Sequence, residues 1–313
     1  MSRVLVTTDY LVPGDEVDAL LRRHGHQAIY RPAAGPRHRE DARTLFDGVH
    51  GAITASEPIT TDMMATATEL QVIARSGVGY DSIDLGAATA RGIRVCNTPG
   101  VNHDAVAEMT IALMLMAARR LTEVVDGVRA GRWPRAAGRE LRGNTLGIIG
   151  FGPSGRAVAN LASAFGMAVL VHTAYPDTTA PGVRFVDRAT VIGSADYLSL
   201  HTKTDDRTER MIDVSALEAM KPTAVLINTA RGALVDEHAL AEALDAGEIA
   251  GAALDVLDAE PLPPDSRLRG RDNVIITSHL AGQTVEARLR AGLCAAADVI
   301  AVLDGREPRH PVN

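Results

Sequence analysis

Two Rossmann-like, doubly wound parallel-sheet α/β domains with a cleft between them are the fold this sequence predicts. Three observations predict it. Short apolar strand patterns alternate with helical patterns along almost the whole chain, the arrangement that covers a parallel sheet on both faces. One strand pattern, 146–149, runs directly into Gly150-Phe151-Gly152-Pro153-Ser154-Gly155 and then into a helical pattern. The length of 313 residues exceeds what one hydrophobic core usually serves, so two domains are expected.

Ahead of the glycine motif, short strand patterns fall at Val4–Thr8, Gln27–Tyr30, Gly51–Thr54, Leu70–Ala74 and Ile93–Cys96, with helical patterns such as Glu16–Arg23 and Asp84–Arg91 between them. That completes one α/β layer. Asp104–Arg120 is apolar on nearly every face, so it is expected to be buried against both domains or against another subunit, and its Met109, Met114 and Met116 read as packing. Past the turn Gly143-Asn144-Thr145, strand 146–149 opens the second layer, and the helix Ala157–Phe165 shows apolar residues at Val158, Leu161, Ala162 and Phe165. Strands follow at Ala168–His172, Val183–Val186, Tyr197–Leu200, Ala224–Asn228, Ile249–Leu254 and Val274–Thr277, with helices such as Val214–Met220 and Asp236–Ala246. A last helix, Thr284–Leu303, stops at Gly305 and returns the chain to the first domain. The domains expected are therefore 1–98 with 285–313, and 99–284.

Composition narrows the function classes. A formal net charge of −7 without any Lys/Arg block argues against nucleic acid or an anionic membrane as partner. Cys96 and Cys294 show neither a CxxC pair nor Cys/His metal spacing, so reduced cytoplasmic thiols are expected, with no disulfide and no metal. Met1-Ser2-Arg3 leads straight into a strand pattern rather than a signal peptide. The apolar run Ile111–Ala118 is far short of the roughly 20 residues that span a bilayer.

In the glycine motif, Gly150 permits the tight turn, Gly152 lets a pyrophosphate approach the backbone, and Gly155 lets the helix pack on its strand, while the helix N-terminus offers N–H groups to phosphate. Three further residues follow successive strand patterns, where open α/β sheets bind ligands. Arg231 leaves Asn228-Thr229-Ala230-Arg231-Gly232, and a planar guanidinium there can grip a carboxylate with two parallel hydrogen bonds. Glu260 lies in the loop after Asp255, and His279 follows the last strand. A carboxylate beside an imidazole stabilises the imidazolium, the usual device for acid–base work near neutrality. Taken singly they read as a surface charge, a solvated loop acid and a satisfied histidine; their joint placement at strand ends favours chemistry.

Those residues, with Arg75-Ser76-Gly77-Val78-Gly79-Tyr80-Asp81, Asn97-Thr98-Pro99-Gly100, Val106-Ala107-Glu108, the stretch 228–237, Asp255–Pro261 and His279–Gly282, make the chain resemble the D-2-hydroxyacid dehydrogenase family over nearly its whole length. The resemblance implies an NAD(P)-dependent oxidoreductase in which His279 is the acid/base, Glu260 its partner and Arg231 the clamp on the substrate. It implies substrate contacts from Arg75, Ser76, Gly77, Val78 and Gly79, the last two through backbone N–H groups. It implies dinucleotide contacts from Gly150, Gly152, Pro153, Ser154, Gly155, Thr173, His201, Thr202, Thr208, Thr229, Ala230, Asp255 and Ala281, with Asp255 on the nicotinamide carboxamide. Closure about 97–100 and the start of the last helix is expected, because water must be kept from the hydride. Relatives pair through the region of Asp104–Arg120, so a homodimer is expected.

Two departures bear on details. Pro153 removes one N–H from the phosphate loop, and Thr173 stands where an Asp or Glu normally meets the adenosine ribose, so NADP is not excluded beside NAD; Asp177 could serve if its loop curls back, whereas Arg184 lies too far along. Ala55 stands where phosphoglycerate-using relatives carry an arginine, with Arg135 and Arg75 as the cations that could replace it. No appended C-terminal regulatory domain of the kind found in many phosphoglycerate dehydrogenases is expected. A glyoxylate or hydroxypyruvate type of substrate is therefore expected, ahead of D-3-phosphoglycerate chemistry and of formate or phosphite. A dinucleotide-sensing corepressor shares the architecture, but no extended tail for partner recruitment is seen.

Overall fold

In the computed structural model, residues 1–32 and 44–313 are described, and the chain forms two compact units, Met1–Asn102 with Gln283–Asn313, and His103–Gly282. The first unit holds a parallel sheet of strands β1 (Arg3–Val6), β2 (Gln27–Tyr30), β3 (Gly51–Thr54), β4 (Val72–Arg75) and β5 (Arg94–Cys96) in the order β2-β1-β3-β4-β5. Strand alternation divides its core in two. Val4, Val6, Ile53 and Val72 point to one face, where they meet Val17 and Leu21 of helix α1 (Glu16–Arg23) and Ala295 and Val299 near the chain's end. Leu5, Ala52, Ile73 and Val95 point to the other, against Met63 and Met64 of α2 (Thr61–Ala65) and Ala88 of α3 (Leu85–Ala90).

The second unit holds seven parallel strands, β6 (Thr145–Ile149), β7 (Ala168–His172), β8 (Val183–Phe185), β9 (Tyr197–Leu200), β10 (Val225–Asn228), β11 (Gly251–Leu254) and β12 (Val274–Ile276), ordered β12-β11-β10-β9-β6-β7-β8. Because β6 lies between β7 and β9, the strand order reverses at its carboxyl end, where such sheets open a crevice for ligands. Leu146 and Ile148 of β6 pack with Ile111 and Leu113 of α4 (His103–Arg119) and Val158 and Ala162 of α6 (Pro153–Ala164). Ile149, Leu198 and Leu226 face the opposite way, toward Val191 of α7 (Arg188–Ser194), Leu217 of α8 (Val214–Glu218) and Leu240 of α9 (Glu237–Ala246). Both sheets are thus doubly wound, as the strand and helix alternation predicts.

Several boundaries shift. The helix after the glycine motif begins at Pro153, not Ala157, because proline's fixed φ and missing N–H suit a first helical position. The apolar helix ends at Arg119; Arg120 takes a left-handed φ of 52° and a separate helix, α5 (Leu121–Arg129), begins. Helices α2, α5 and α7 are additional to those read from the pattern. The all-round apolarity of α4 is largely met inside its own unit, since it packs on α6, α5, β10 and β11 and buries eight residues including Val106, Ile111, Leu113 and Met114. The exposed apolar residues of this region lie instead on α5 and just after it, at Leu121, Val125, Val128 and Trp133. The last helix, α10 (Val285–Leu303), packs on α1, β3 and β4, and Gly305 follows its cap at φ 73°. Among the described residues no helix is long and apolar enough to cross a membrane.

Candidate active site

The glycine turn at the end of β6 is shaped by contacts that exclude side chains. A Cβ on Gly150, whose φ is +96°, would sit 2.3 Å from the His201 carbonyl oxygen, and one on Gly155 would sit 2.3 Å from the Gly150 oxygen. At Gly152 a Cβ would meet nothing within 4 Å, so open space lies in front of the turn. Gly152 caps α6 without any side-chain hydrogen bond, and the first turn carries no acidic residue. Uncapped N–H groups facing open space fit a dinucleotide's pyrophosphate. Ser154 is half-buried in that turn.

His201, beneath the turn, is half-buried: desolvation pushes its pKa down to about 4, which keeps the imidazole neutral near pH 7, and its Nε2 lies 2.8 Å from the Ser199 hydroxyl. Thr202 follows it, half-buried. The Thr208 hydroxyl closes its own loop, accepting from the Asp205 N–H at 2.8 Å and donating to the Lys203 carbonyl at 2.8 Å. Thr173 lies just past β7, its hydroxyl accepting from the Tyr175 N–H at 3.3 Å. The loop does curl back at Asp177, whose carboxylate pairs with Arg156 of α6 at 2.6 Å while the Arg156 guanidinium lies 4.5 Å over the Phe151 ring. Hydrogen bonds from Thr179 and Arg156 hold the Asp177 carboxyl down at about 2.

At the end of β10, Asn228 organises the next loop: its amide donates to the Arg231 carbonyl at 2.8 Å and its Oδ1 accepts from the Ala230 N–H at 3.0 Å. Arg231 Nη1 donates to the Ala230 carbonyl at 2.6 Å, and the Thr229 hydroxyl lies 3.2 Å from that of Thr110 on α4. Gly232 is compulsory, because a Cβ there would lie 1.9 Å from the Leu257 carbonyl carbon. The Arg231 loop and the Glu260 loop therefore touch backbone to backbone, and Glu237 adds a second tie by accepting from the Asp258 N–H at 2.6 Å.

After β11 and β12 two of the sequence-predicted site residues meet. His279 Nδ1 is 2.8 Å from Glu260 Oε2, and Glu260 Oε1 accepts from the Leu257 N–H at 3.0 Å. Burial raises the Glu260 pKa, but hydrogen bonds from His279 and Leu257, with the charges of His279 and Arg231, outweigh it and leave the carboxyl below its ordinary value. His279 has a left-handed φ of 56°, and Asp255 holds it there. The Asp255 carboxylate, 1% exposed, accepts from Thr277 Oγ1 at 2.6 Å, Leu280 N–H at 2.9 Å and Ala281 N–H at 2.8 Å, while its carbonyl accepts from His279 N–H at 2.8 Å.

In the first unit, Arg75 ends β4 with Nη1 2.9 Å from the Ser76 carbonyl, its guanidinium lying over Gly77. Ser76 is buried, its hydroxyl 2.8 Å from that of Tyr10, and the Val78 carbonyl accepts from the Asn97 amide at 2.7 Å. The Val78 and Gly79 N–H groups find no hydrogen-bond partner among the described residues, and Val78 is exposed. Arg288 of α10 lies 4.8 Å over the Tyr10 ring. Tyr10, Asn228, Thr277 and Glu237 were not singled out from sequence, although Asn228 and Glu237 bound one of the quoted motif stretches.

Residues 111–281 match the D-isomer specific 2-hydroxyacid dehydrogenase NAD binding domain. A glyoxylate reductase of Thermofilum pendens is 40% identical over 288 residues, 89% of this chain and 85% of the relative. A D-3-phosphoglycerate dehydrogenase of Archaeoglobus fulgidus is 40% identical over 83% of this chain, which spans 50% of that longer protein. A solved structure from Thermus thermophilus superposes with a TM-score of 0.91 at 40% identity, covering 99% of this chain and 100% of that one.

His201 ties pH to stability. Its folded pKa of about 4 lies below the ordinary 6.5, so between those values the unfolded chain binds a proton that the folded chain refuses. Stability is full above that ordinary value and declines as pH falls toward the folded one. Urea midpoints measured across that window should drop for the native chain and flatten for His201→Gln; parallel curves would place the loss elsewhere.

Proposed function

The chain belongs to the D-isomer specific 2-hydroxyacid dehydrogenase family and is an NAD-dependent oxidoreductase, and we propose that its substrate pair is a small, unphosphorylated D-2-hydroxy acid and 2-oxo acid of the glyoxylate or hydroxypyruvate type. The observation that carries the chemistry is the His279–Glu260 pair at 2.8 Å. With Nδ1 engaged by Glu260, Nε2 is the nitrogen that serves the substrate's oxygen. The bound dinucleotide supplies or accepts the hydride. In reduction His279 Nε2 gives its proton to the carbonyl oxygen as charge develops there, and Glu260 stabilises the imidazolium beforehand. In oxidation the same nitrogen takes the proton back. Arg231 grips the substrate carboxylate through its planar fork, and in the first unit the Val78 and Gly79 N–H groups are main-chain donors of the kind that bind a small anion. Asp255 serves chiefly by holding His279; Oδ1 already accepts from Thr277 and Leu280, so a carboxamide contact falls to the remaining capacity of Oδ2.

Ala55 supports the unphosphorylated substrate: its short side chain replaces a cation, its N–H donates to Thr7 Oγ1 at 3.2 Å, and Arg75 is turned onto the Ser76 carbonyl. A phosphate there would forfeit charge-assisted hydrogen bonds. The phosphoglycerate reading rests on the 40% identical Archaeoglobus relative. A cytoplasmic setting is supported by two free cysteines.

Homodimerisation is the reading for the apolar stripe Leu121, Val125 and Val128 on α5 with Trp133, where residues four and three apart share one face and all are at least 40% exposed. A second copy of this chain covers such a stripe isologously. For the cofactor, Asp177 is engaged with Arg156, which leaves Thr173 as the group beside the adenosine ribose.

Kinetics, cofactor binding and sedimentation test these readings. Turnover with NADH should show higher kcat/KM for glyoxylate or hydroxypyruvate than for phosphohydroxypyruvate; His279→Ala should lower it by about 100-fold or more with dinucleotide binding retained. Arg231→Lys should weaken handling of the acid far more than of the cofactor. Because the Glu260 carboxyl is held below 4.5, the pair should persist as pH falls to that value and its support should be lost only as pH drops further. Turnover of phosphohydroxypyruvate with both small acids inert would return the chain to phosphoglycerate chemistry. Thr173→Asp should shift the ratio of Kd values toward NAD over NADP by accepting the ribose hydroxyls and repelling a 2′-phosphate; an unchanged ratio would assign the ribose to another residue. Sedimentation should show a dimer that Val125→Asp converts to monomer, and a native monomer at micromolar concentration would remove the stripe's assignment.

A further inference from the structure

Away from the residues assigned to hydride transfer, three unlike donor atoms converge in the first unit. Helix α10 carries Cys294 and Asp298 one turn apart, and the chain's last segment lays His310 against them. His310 Nδ1 is 3.0 Å from Asp298 Oδ2 and 3.6 Å from Cys294 Sγ, and the three ligand atoms all lie within 4.8 Å of one another.

The set is held by its surroundings. Asp298 is 1% exposed, and its other oxygen accepts from the Arg309 N–H at 2.7 Å, which fixes the carboxylate plane. The His310 backbone is fixed too, its carbonyl accepting from the Asn97 N–H at 3.2 Å while Pro311 bridges antiparallel to Cys96 and the Val312 N–H donates to the Val95 carbonyl at 2.9 Å. A cysteine nucleophile triad would string thiol and carboxylate on opposite ring nitrogens. Here both face the same nitrogen, so the arrangement converges on a point rather than forming a relay.

Metal–ligand distances of about 2.0–2.3 Å in a tetrahedral site require donor separations of roughly 3.3–3.7 Å. The Nδ1–Sγ separation of 3.6 Å meets this, and the Nδ1–Oδ2 separation of 3.0 Å needs only a few tenths of an ångström of opening. Mixed S, N and O donors suit zinc and its neighbours rather than calcium or magnesium.

We propose that Cys294, Asp298 and His310 form a binding site for a divalent transition metal, zinc foremost, that ties the C-terminal segment to α10. Cys294 binds as thiolate and releases its proton, His310 binds as neutral imidazole through Nδ1 with its proton on Nε2, and Asp298 binds as carboxylate. Water takes the fourth position on the half-exposed side between Cys294 and His310. The Arg309 N–H acts as the outer partner that orients the carboxylate. The ion's role is structural, since none of these residues is assigned to substrate or dinucleotide.

The test uses the full chain freed of metal by chelation. Cobalt(II), titrated as a spectroscopic probe, should give a thiolate-to-cobalt charge-transfer band that saturates at one equivalent, and zinc should displace it. Zinc competition against a chromophoric chelator should show one strong site, weakened by about 100-fold or more in Cys294→Ser and in His310→Gln, the upper end of what loss of even an outer partner costs. Zinc should raise the thermal midpoint of the native chain and not of either variant, and both variants should keep native 2-oxo acid turnover. His238→Gln, at the exposed His238–Glu242 pair, is the control that should change nothing. Cobalt bound without a thiolate band, or zinc affinity unchanged in both Cys294→Ser and His310→Gln, would overturn the proposal. If one variant fails to fold, the other and the cobalt spectrum of the native chain decide.

Discussion

The buried carboxylate of Asp255 is the constraint on which the reactive end of the second unit depends. A charged oxygen pair taken out of water is costly unless hydrogen-bonded, and here three donors surround it: the Thr277 hydroxyl and the N–H groups of Leu280 and Ala281. Those donors come from both sides of His279, so satisfying the carboxylate fixes the backbone that carries the imidazole. A left-handed histidine costs about 1–3 kcal/mol, and charge-assisted hydrogen bonds of this kind are strong enough to hold it. The result is an imidazole whose Nδ1 meets Glu260 without any need for its own side-chain packing.

Glu260 and Arg231 are placed by the same logic of backbone anchorage. The Glu260 carboxylate is pinned by the Leu257 N–H on one oxygen, leaving the other for His279. Leu257 is in turn located by Gly232, where any side chain would strike its carbonyl carbon, and Glu237 ties the Asp258 N–H to α9. Asn228 closes the turn bearing Arg231 from within. Three successive strand ends are thus interlocked through main-chain groups, with the Glu260 and Glu237 carboxylates adding their own bonds to the Leu257 and Asp258 N–H groups.

Legibility in the sequence followed the range of the interactions. Strands, sheet alternation and the glycine turn were readable because burial on two faces and a forced φ leave local traces, as Gly150 and the apolar runs of β6 and β9 do. The His279–Glu260 pairing was readable because both residues follow strands of one sheet. What stayed hidden was set by contacts distant in sequence. Nothing near Arg120 announces the left-handed residue that splits α4 from α5, and nothing near α4 says that its own unit covers most of its apolar surface. The approach of Cys294 to His310 was equally illegible, since the two fit no linear zinc pattern; they meet because the terminal segment runs back along β5 and over α10.

The glycine turn shows how charge is apportioned between ligand and protein. A pyrophosphate brings negative charge, yet His201 beneath the turn is neutral, and Arg156 in the first turn of α6 is already paired with Asp177. Pro153 removes one further donor from the turn. Affinity for the phosphates therefore rests on the uncapped N–H groups of α6 and its dipole, directed into the open space before Gly152. Backbone dipoles keep their orientation when the ligand leaves, whereas an unpaired cation beneath the turn would have to be desolvated in the free protein. Pairing Arg156 and neutralising His201 spares the free protein that cost.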